Sequence, residues 1–203
     1  MSRVGKTIIK IPSGVKFEII YGDGDKRLAS VTGKNGVLLQ EIKPSIWIEH
    51  NETEVTLKRE NDESATRALH GLYNRLIQNM VKGVTEGFTK TLILNGVGYK
   101  AVMKGEDLVL NLGYSHPCEI KGENGIKFKI LAPAEVQALN LGKDGVGLVI
   151  QVSGANREQV GAVAGRIRDL RKVEPYHLYG VRYSDEFVMR KESKSGKKSG
   201  GKK

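Results

Sequence analysis

The feature that most constrains the fold is an order of sequence patterns that occurs twice along the 203-residue chain. Several short apolar or alternating runs are followed by one amphipathic helical pattern, first over residues 8–81 and again over residues 91–172. Alternation of apolar and polar residues is typical of strands with one buried face, and that apolar face must be covered by another element such as a helix. The chain is therefore predicted to be α+β, with two similar domains from internal duplication, each an antiparallel β-sheet covered by one amphipathic α-helix.

The first half contains short runs separated by turn residues, which predict six strands. They are Ile8–Ile11, Val15–Ile20, Arg27–Thr32, Gly36–Ile42, Ile46–His50 and Val55–Arg59. Apolar residues at helical spacing predict the helix over Ser64–Val81. Gly83 is expected just past its end, as a left-handed terminator.

The second half predicts seven strands and a final helix. The strands are Thr91–Leu94, Tyr99–Lys104, Asp107–Leu112, Cys118–Lys121, Lys127–Leu131, Glu135–Asn140 and Gly147–Ser153. The helix is predicted over Arg157–Lys172, with Asn156 as its N-cap. A shift of 91 positions superimposes the apolar residues of the first helix on those of the second, although helix periodicity alone produces part of that match. The predicted domains are residues 1–81 and 82–189, followed by a basic tail at 190–203.

Positive charge is concentrated at the C-terminal end. Residues 157–203 hold 13 Lys and Arg against 6 Asp and Glu, and so carry +7 of the net charge of +10. This distribution indicates a polyanionic partner. A solubilising tail on an ordinary domain is the alternative interpretation.

Residues for catalysis or metal binding are not grouped in the sequence. The four histidines are scattered, and Gly96–Ala101 fits a dinucleotide-binding glycine pattern but leads into a predicted strand instead of a helix. No cofactor, metal or small-molecule substrate is therefore expected. The single cysteine, Cys118, and the lack of a long apolar run predict a cytosolic protein with no signal peptide and no membrane partner.

One face of the second predicted helix combines glycines with basic residues. It carries Arg157, Gly161, Gly165, Arg168 and Lys172. Two glycines inside a helix cost about 2 kcal/mol relative to alanine, which suggests that something lies close to the backbone. That neighbour is either a phosphate backbone or another part of the protein.

Beyond this helix, three tyrosines and an arginine lie within a few residues of one another. Tyr176, Tyr179 and Tyr183 are suited to stacking on unpaired bases and Arg182 to a phosphate, although any one tyrosine could simply anchor the segment. The loop at residues 95–100 is a second candidate contact or, equally, a bulged hairpin.

Four separated motifs, in this order, resemble one family. They are Ser2-Arg3-Val4-Gly5-Lys6 with Ile11-Pro12-Ser13-Gly14-Val15, Arg67-Ala68-Leu69-His70-Gly71 through Gly87-Phe88, Gly96-Val97-Gly98-Tyr99-Lys100-Ala101, and Glu174-Pro175-Tyr176 with Gly180-Val181-Arg182-Tyr183. The family is L-six of the bacterial large ribosomal subunit, also called uL-six. The similarity runs through most of the chain.

The resemblance implies two similar α+β domains and a structural role without catalysis. It also implies binding to 23S rRNA, chiefly through the second domain, in the cytoplasm and within the ribosome. The family lies near the base of the GTPase stalk, beside neighbouring large-subunit proteins. There it supports the factor-binding centre, so translational GTPases are indirect partners. An RNA-processing factor with a basic anchoring tail and a module that binds acidic proteins are the alternatives.

The predicted rRNA-binding residues are Gly98, Tyr99, Lys100, Arg157, Gly161, Gly165, Arg168, Arg171, Lys172, Tyr176, Arg182, Tyr183, Arg190, Lys191, Lys194, Lys197 and Lys198. One segment departs from the family, which usually carries Lys-Gly-Lys where this chain has His177-Leu178-Tyr179. Two cations and a flexible glycine are thus missing from an expected contact. Stacking by Tyr179, or an rRNA that differs locally, could compensate.

Overall fold

A computed structural model describes residues 5–22, 26–138 and 147–192 of the chain. It divides into two compact units. The first consists of Met1–Phe88 with Gly154–Glu158, and the second of Thr89–Ser153 with Gln159–Lys203. Both contain antiparallel strands and a long helix, so the predicted α+β class is confirmed.

The first unit has two three-stranded antiparallel sheets and one helix. Its strands are β1 (Ile9–Lys10), β2 (Lys16–Tyr21), β3 (Arg27–Gly33), β4 (Gly36–Ile42), β5 (Ile46–His50) and β6 (Glu54–Arg59). The sheet orders are β2-β3-β4 and β1-β6-β5, and helix α1 (Ser64–Thr85) packs on both. Fully buried Val31, Val55 and Ile77 bring one residue of each sheet and one of the helix into a common core. Burial of such side chains is the main stabilising term for this unit.

Helix α1 is one turn longer than predicted, because it continues past Val81 to Thr85. Gly83 is therefore an interior helical residue, and the prediction that it terminates the helix is wrong. A side chain at this position would collide with the backbone carbonyl of Ala155, which lies in the same unit. The left-handed residue after the helix is Gly87, with φ of +80°.

The second unit also contains two sheets. Its strands are β7 (Phe88–Asn95), β8 (Lys100–Lys104), β9 (Asp107–Asn111), β10 (Cys118–Ile120), β11 (Lys127–Ile130), β12 (Leu148–Gly154) and β13 (Gly180–Tyr183). They form a three-stranded sheet, β10-β9-β8, and a four-stranded sheet, β11-β12-β7-β13. Helix α2 (Pro133–Ala138) and helix α3 (Arg157–Leu170), the latter from Gln159 onward, complete the unit. The apolar stripe of α3 is buried at Val160, Ala164 and Ile167, as its spacing predicts.

The strand predicted at Glu135–Asn140 is wrong, because its described part is helix α2. Pro133 is the first helical residue, where its missing N–H is harmless. Glu135 reaches back to accept a hydrogen bond from the Ala132 amide at 3.1 Å, which is half of a capping box. These local signals favour a helix over a strand.

Strand β13 was not predicted from the sequence. Its first two residues, Gly180 and Val181, are buried, and Val181, which is 1% exposed, pairs with Leu94 of β7. Gly180, the first residue of β13, pairs with Asn95, the last residue of β7. Part of the segment predicted to contact nucleic acid, Gly180–Tyr183, is therefore an edge strand of the larger sheet.

Candidate nucleic-acid interface

Three chain segments of the second unit meet where β7 ends and β13 begins. The Asn95 side chain donates a hydrogen bond to the Leu178 carbonyl at 3.4 Å, and the Val181 amide donates one to the Arg171 carbonyl at 2.9 Å. These contacts bring together the loop 95–100, the end of α3 and residues 171–179, which we call the C-terminal loop. Strand pairing thus places two sequence-predicted segments on one surface.

The C-terminal loop is held by its own backbone. The Glu174 amide donates to the Tyr179 carbonyl at 2.9 Å, and the Leu178 amide donates to the Glu174 carbonyl at 3.0 Å. Leu178 has φ of +61°, the left-handed region that non-glycine residues adopt only at an energetic cost. The predicted contact residue Lys172 is exposed, as is Tyr176. These two side chains are therefore presented on a fixed loop.

The segment after β13 returns to this loop. The Arg190 Nε donates to the Tyr176 carbonyl at 3.1 Å, and the Lys191 amide donates to the Pro175 carbonyl at 2.9 Å. Both basic side chains are exposed. Their charges are consequently added beside the C-terminal loop. The predicted contacts Lys194, Lys197 and Lys198 lie outside the described residues.

Two tyrosine rings, those of Tyr114 and Tyr99, also belong to this surface. The Arg171 guanidinium lies 5.0 Å from the centre of the Tyr114 ring, and the Tyr114 hydroxyl donates to the Leu170 carbonyl at 2.9 Å. Hydrogen bonding with Tyr114 raises the pKa of Arg171 above its ordinary value, so the guanidinium stays positively charged. The Tyr99 ring lies against Gly96, where a Cβ atom would approach ring carbons to 2.6 Å. A glycine is therefore required under that ring.

The remaining predicted residues of the loop 95–100 face outward. Gly98 and Lys100 are both exposed, and Gly98 has φ of +77°. Glycine is the residue that adopts this conformation without strain. Lys100 begins β8, so its charge is fixed at the edge of this surface.

Arg168 has a partner within the protein. Its Nε and Nη2 atoms lie 2.9 and 2.5 Å from the two carboxylate oxygens of Glu186. The guanidinium also lies 5.9 Å from the centre of the Tyr183 ring. Hydrogen bonds from Arg168 lower the pKa of Glu186, and Glu186 in turn raises that of Arg168. Arg168 and Tyr183 thus help to fix the C-terminal segment, and contact of either with rRNA stays a prediction.

The glycine face of α3 is partly open. A Cβ atom on Gly161 would meet no atom of the described chain within 4 Å, and one on Gly165 would meet only the Tyr183 hydroxyl at 3.8 Å. Packing within the described protein therefore does not explain why Gly161 is a glycine. Arg157, on the same face, lies in the first unit and donates to the Asn79 side chain at 3.2 Å.

Arg182 lies in β13 opposite Ile93 and is half-buried. It is therefore less accessible than Lys172 or Arg190. Tyr114 and Glu186, which organise the surface, were not singled out from the sequence. Both act on residues of α3, at separations that no local sequence pattern reveals.

Among the described residues, no helix is long and apolar enough to cross a membrane. In the same ranges, no group of three or more His, Cys, Asp or Glu side chains could hold a metal ion.

A basic, aromatic surface on an α+β unit has the features of a nucleic-acid-binding protein. The family model for ribosomal protein L6 matches residues 11–87 and 95–184. The large ribosomal subunit protein uL6 of Clostridium perfringens (strain SM101) is 45% identical over 197 residues, covering 97% of this chain and all of the relative. The proteins of the same name from Shouchella clausii and Staphylococcus epidermidis are each 44% identical over the same shares of both chains. The chain belongs to the ribosomal protein L6 family.

Family membership confirms the resemblance drawn from the four motifs. The chain is a structural ribosomal protein and not an enzyme, and its place is in the ribosome, in the cytoplasm. The relatives are matched over their whole length, so the similarity is not confined to one domain.

Proposed function

We propose that this ribosomal protein is a structural constituent of the large subunit and binds 23S rRNA mainly through its second domain. The observation that carries this proposal is the convergence of Lys100, Arg171, Lys172 and Arg190 on segments joined around the start of β13. Cations held in fixed positions set the register and orientation of an RNA backbone on the protein.

The proposed mechanism is neutralisation of phosphates with release of counterions. Each phosphate contact contributes roughly 0.7–0.9 to the slope of log affinity against log salt concentration. Lys100, Lys172 and Lys191 are exposed and carry charges on three different segments. We expect these side chains to supply much of the salt-dependent affinity.

Gly161 supports a second, closer contact. The open space over this residue admits a phosphate group to the helix backbone, which any side chain would keep away. This contact would lie on α3, about one turn after its first residue, Arg157. We expect it to contribute shape recognition more than charge.

The position that we propose in the subunit is near the base of the GTPase stalk. There the protein would adjoin neighbouring large-subunit proteins and support the factor-binding centre. Translational GTPases would then be affected only indirectly. The motifs shared with the family support this placement, including the C-terminal Glu174-Pro175-Tyr176.

Filter binding of the full chain to 23S rRNA over a range of salt concentrations tests the RNA contact. The triple variant Lys100→Gln, Lys172→Gln, Lys191→Gln should bind more weakly and lower the salt slope by roughly 2–3. The matched control is Lys10→Gln, Lys34→Gln, Lys43→Gln, which removes three exposed charges from the first unit. An equal loss of slope in the control would refute preferential binding by the second domain.

Sedimentation of a lysate on a sucrose gradient tests the subunit assignment. We expect the chain to comigrate with large subunits in constant ratio and to stay bound through moderate salt. Recovery as free protein at the top of the gradient would refute it.

A further inference from the structure

We propose that the stacked rings of His177 and Tyr179 form a platform for an unpaired base of the bound RNA. This inference rests on the proposed function and specifies how the C-terminal loop contacts its ligand. It assigns to this loop a stacking contact instead of a phosphate contact. The partner class is single-stranded RNA, in a loop or bulge, flanked by backbone phosphates.

The geometry of the two rings carries the first step. Their centroids are 5.5 Å apart and their planes differ by 23°, which is a stacked arrangement. Tyr179 is 39% exposed, and the His177 side chain is 65% exposed. Ring surface is therefore open to solvent. Aromatic faces of this kind are where unpaired bases stack in RNA complexes.

The loop backbone fixes the platform before any ligand arrives. Residues Glu174 and Tyr179 are joined across the loop, and the left-handed conformation of Leu178 turns the chain between the two rings. A loop that is already ordered loses less entropy when it binds. The left-handed Leu178 thus helps to fix the positions of the two rings.

The local charge argues against a phosphate contact at the rings. The Glu174 carboxylate lies 3.2 Å from the His177 Nδ1 atom, so it would offset the charge of a protonated imidazole. Tyr179 contributes no cation. The positive charges stand nearby instead, at Lys172, Arg190 and Lys191. A base stacked on the two rings, with its flanking phosphates bound by these cations, accounts for both the lack of net charge at the rings and the positive charge beside them.

The test compares Tyr179→Ala with Tyr179→Phe in the full chain, measured against 23S rRNA across salt concentrations. Stacking predicts that Tyr179→Ala weakens binding roughly 5- to 100-fold and leaves the salt slope unchanged. Tyr179→Phe keeps the ring and should bind like the wild type. Tyr21→Ala is the matched control, since Tyr21 is 75% exposed in the first unit and should not affect affinity.

Circular dichroism and thermal unfolding of each variant establish that the fold is kept. Wild-type affinity for Tyr179→Ala would overturn the platform while leaving the proposed rRNA binding intact. A flatter salt slope for Tyr179→Ala would also overturn it, because stacking releases no counterions. Absence of salt-dependent binding in the wild type would instead refute the proposed function itself.

Discussion

Arg168 and Glu186 are joined by two hydrogen bonds, from Nε at 2.9 Å and from Nη2 at 2.5 Å. The pair connects α3 to the segment that follows β13, and the same carboxylate accepts the Tyr183 amide at 3.2 Å. A two-point contact between guanidinium and carboxylate fixes direction as well as distance. The course of the chain after β13 is therefore set by a side chain of α3.

This pair predicts a stability that depends on pH. Arg168 lowers the pKa of Glu186, so the carboxylate stabilises the folded state above the unfolded pKa of about 4.5. The contribution is lost as pH falls through the lower folded value. Glu186→Gln should reduce stability by about 0.5–1 kcal/mol at pH 7 and remove this part of the acid dependence. Thermal unfolding between pH 7 and pH 3 measures both effects.

Asp185→Asn is the matched control, because Asp185 lies next in sequence but its closest lysine nitrogen is 3.8 Å away. We expect it to change stability and acid dependence less than Glu186→Gln does. Equal effects of the two variants would indicate a general charge effect and not a specific Arg168–Glu186 contact.

Gly161 should respond differently in stability and in binding. Gly161→Ala places a methyl group in open space and favours helix, so it should raise stability by about 0.5–1 kcal/mol. Gly161→Leu should fold as well but bind 23S rRNA more weakly, because its side chain blocks close approach to the backbone. Thermal unfolding and filter binding together measure the contrast.

Ala162→Leu places the same leucine side chain at the next position of α3, which is also exposed, and should leave binding unchanged. If Gly161→Leu lost stability and binding to the same extent, the glycine would be required for packing within the protein and not for contact with RNA.

The left-handed conformation of Leu178 predicts that glycine is more stable than alanine at this position, the reverse of the usual order. In most positions glycine is less stable than alanine, but at φ of +61° the Cβ atom is what costs energy. We expect Leu178→Gly to be more stable than Leu178→Ala by about 1 kcal/mol. Both variants remove the leucine side chain, so their difference isolates backbone strain. Chemical denaturation measures it, and a more stable alanine variant would show that the loop relaxes.

Periodicity was sufficient to predict much of the fold. The apolar stripe of α3 and the strands of the first unit follow from spacing alone, because each buries one face. The prediction was wrong at Gly83 and at Glu135. At Gly83, glycine is needed because the Ala155 backbone lies close to the helix. At Glu135, the side chain accepts a hydrogen bond from the Ala132 amide and so favours the start of a helix.

The surface was harder to predict than the fold. The sequence identifies the cations and tyrosines as candidates for the surface. Which of them contact other parts of the protein depends on partners that are distant in sequence. Arg168 is 18 positions from Glu186, and Tyr114 reaches a carbonyl 56 positions away. Neither separation leaves a local pattern. The pairing of β13 with β7 and the hydrogen bond from Asn95 to Leu178 bring the loop 95–100 beside the C-terminal loop.

The lysine-rich end of the chain should contribute affinity through charge. Removing residues 193–203 deletes five lysines and no acidic residue, while it keeps Arg190 and Lys191 in their contacts with the C-terminal loop. We expect weaker binding to 23S rRNA and a salt slope lower by up to about 4, because fewer counterions are released. Replacing the five lysines with glutamine in the full-length chain is the matched control for length and should have the same effect. An unchanged slope in both variants would show that these lysines make no phosphate contact and that the fixed cations of the second unit act alone.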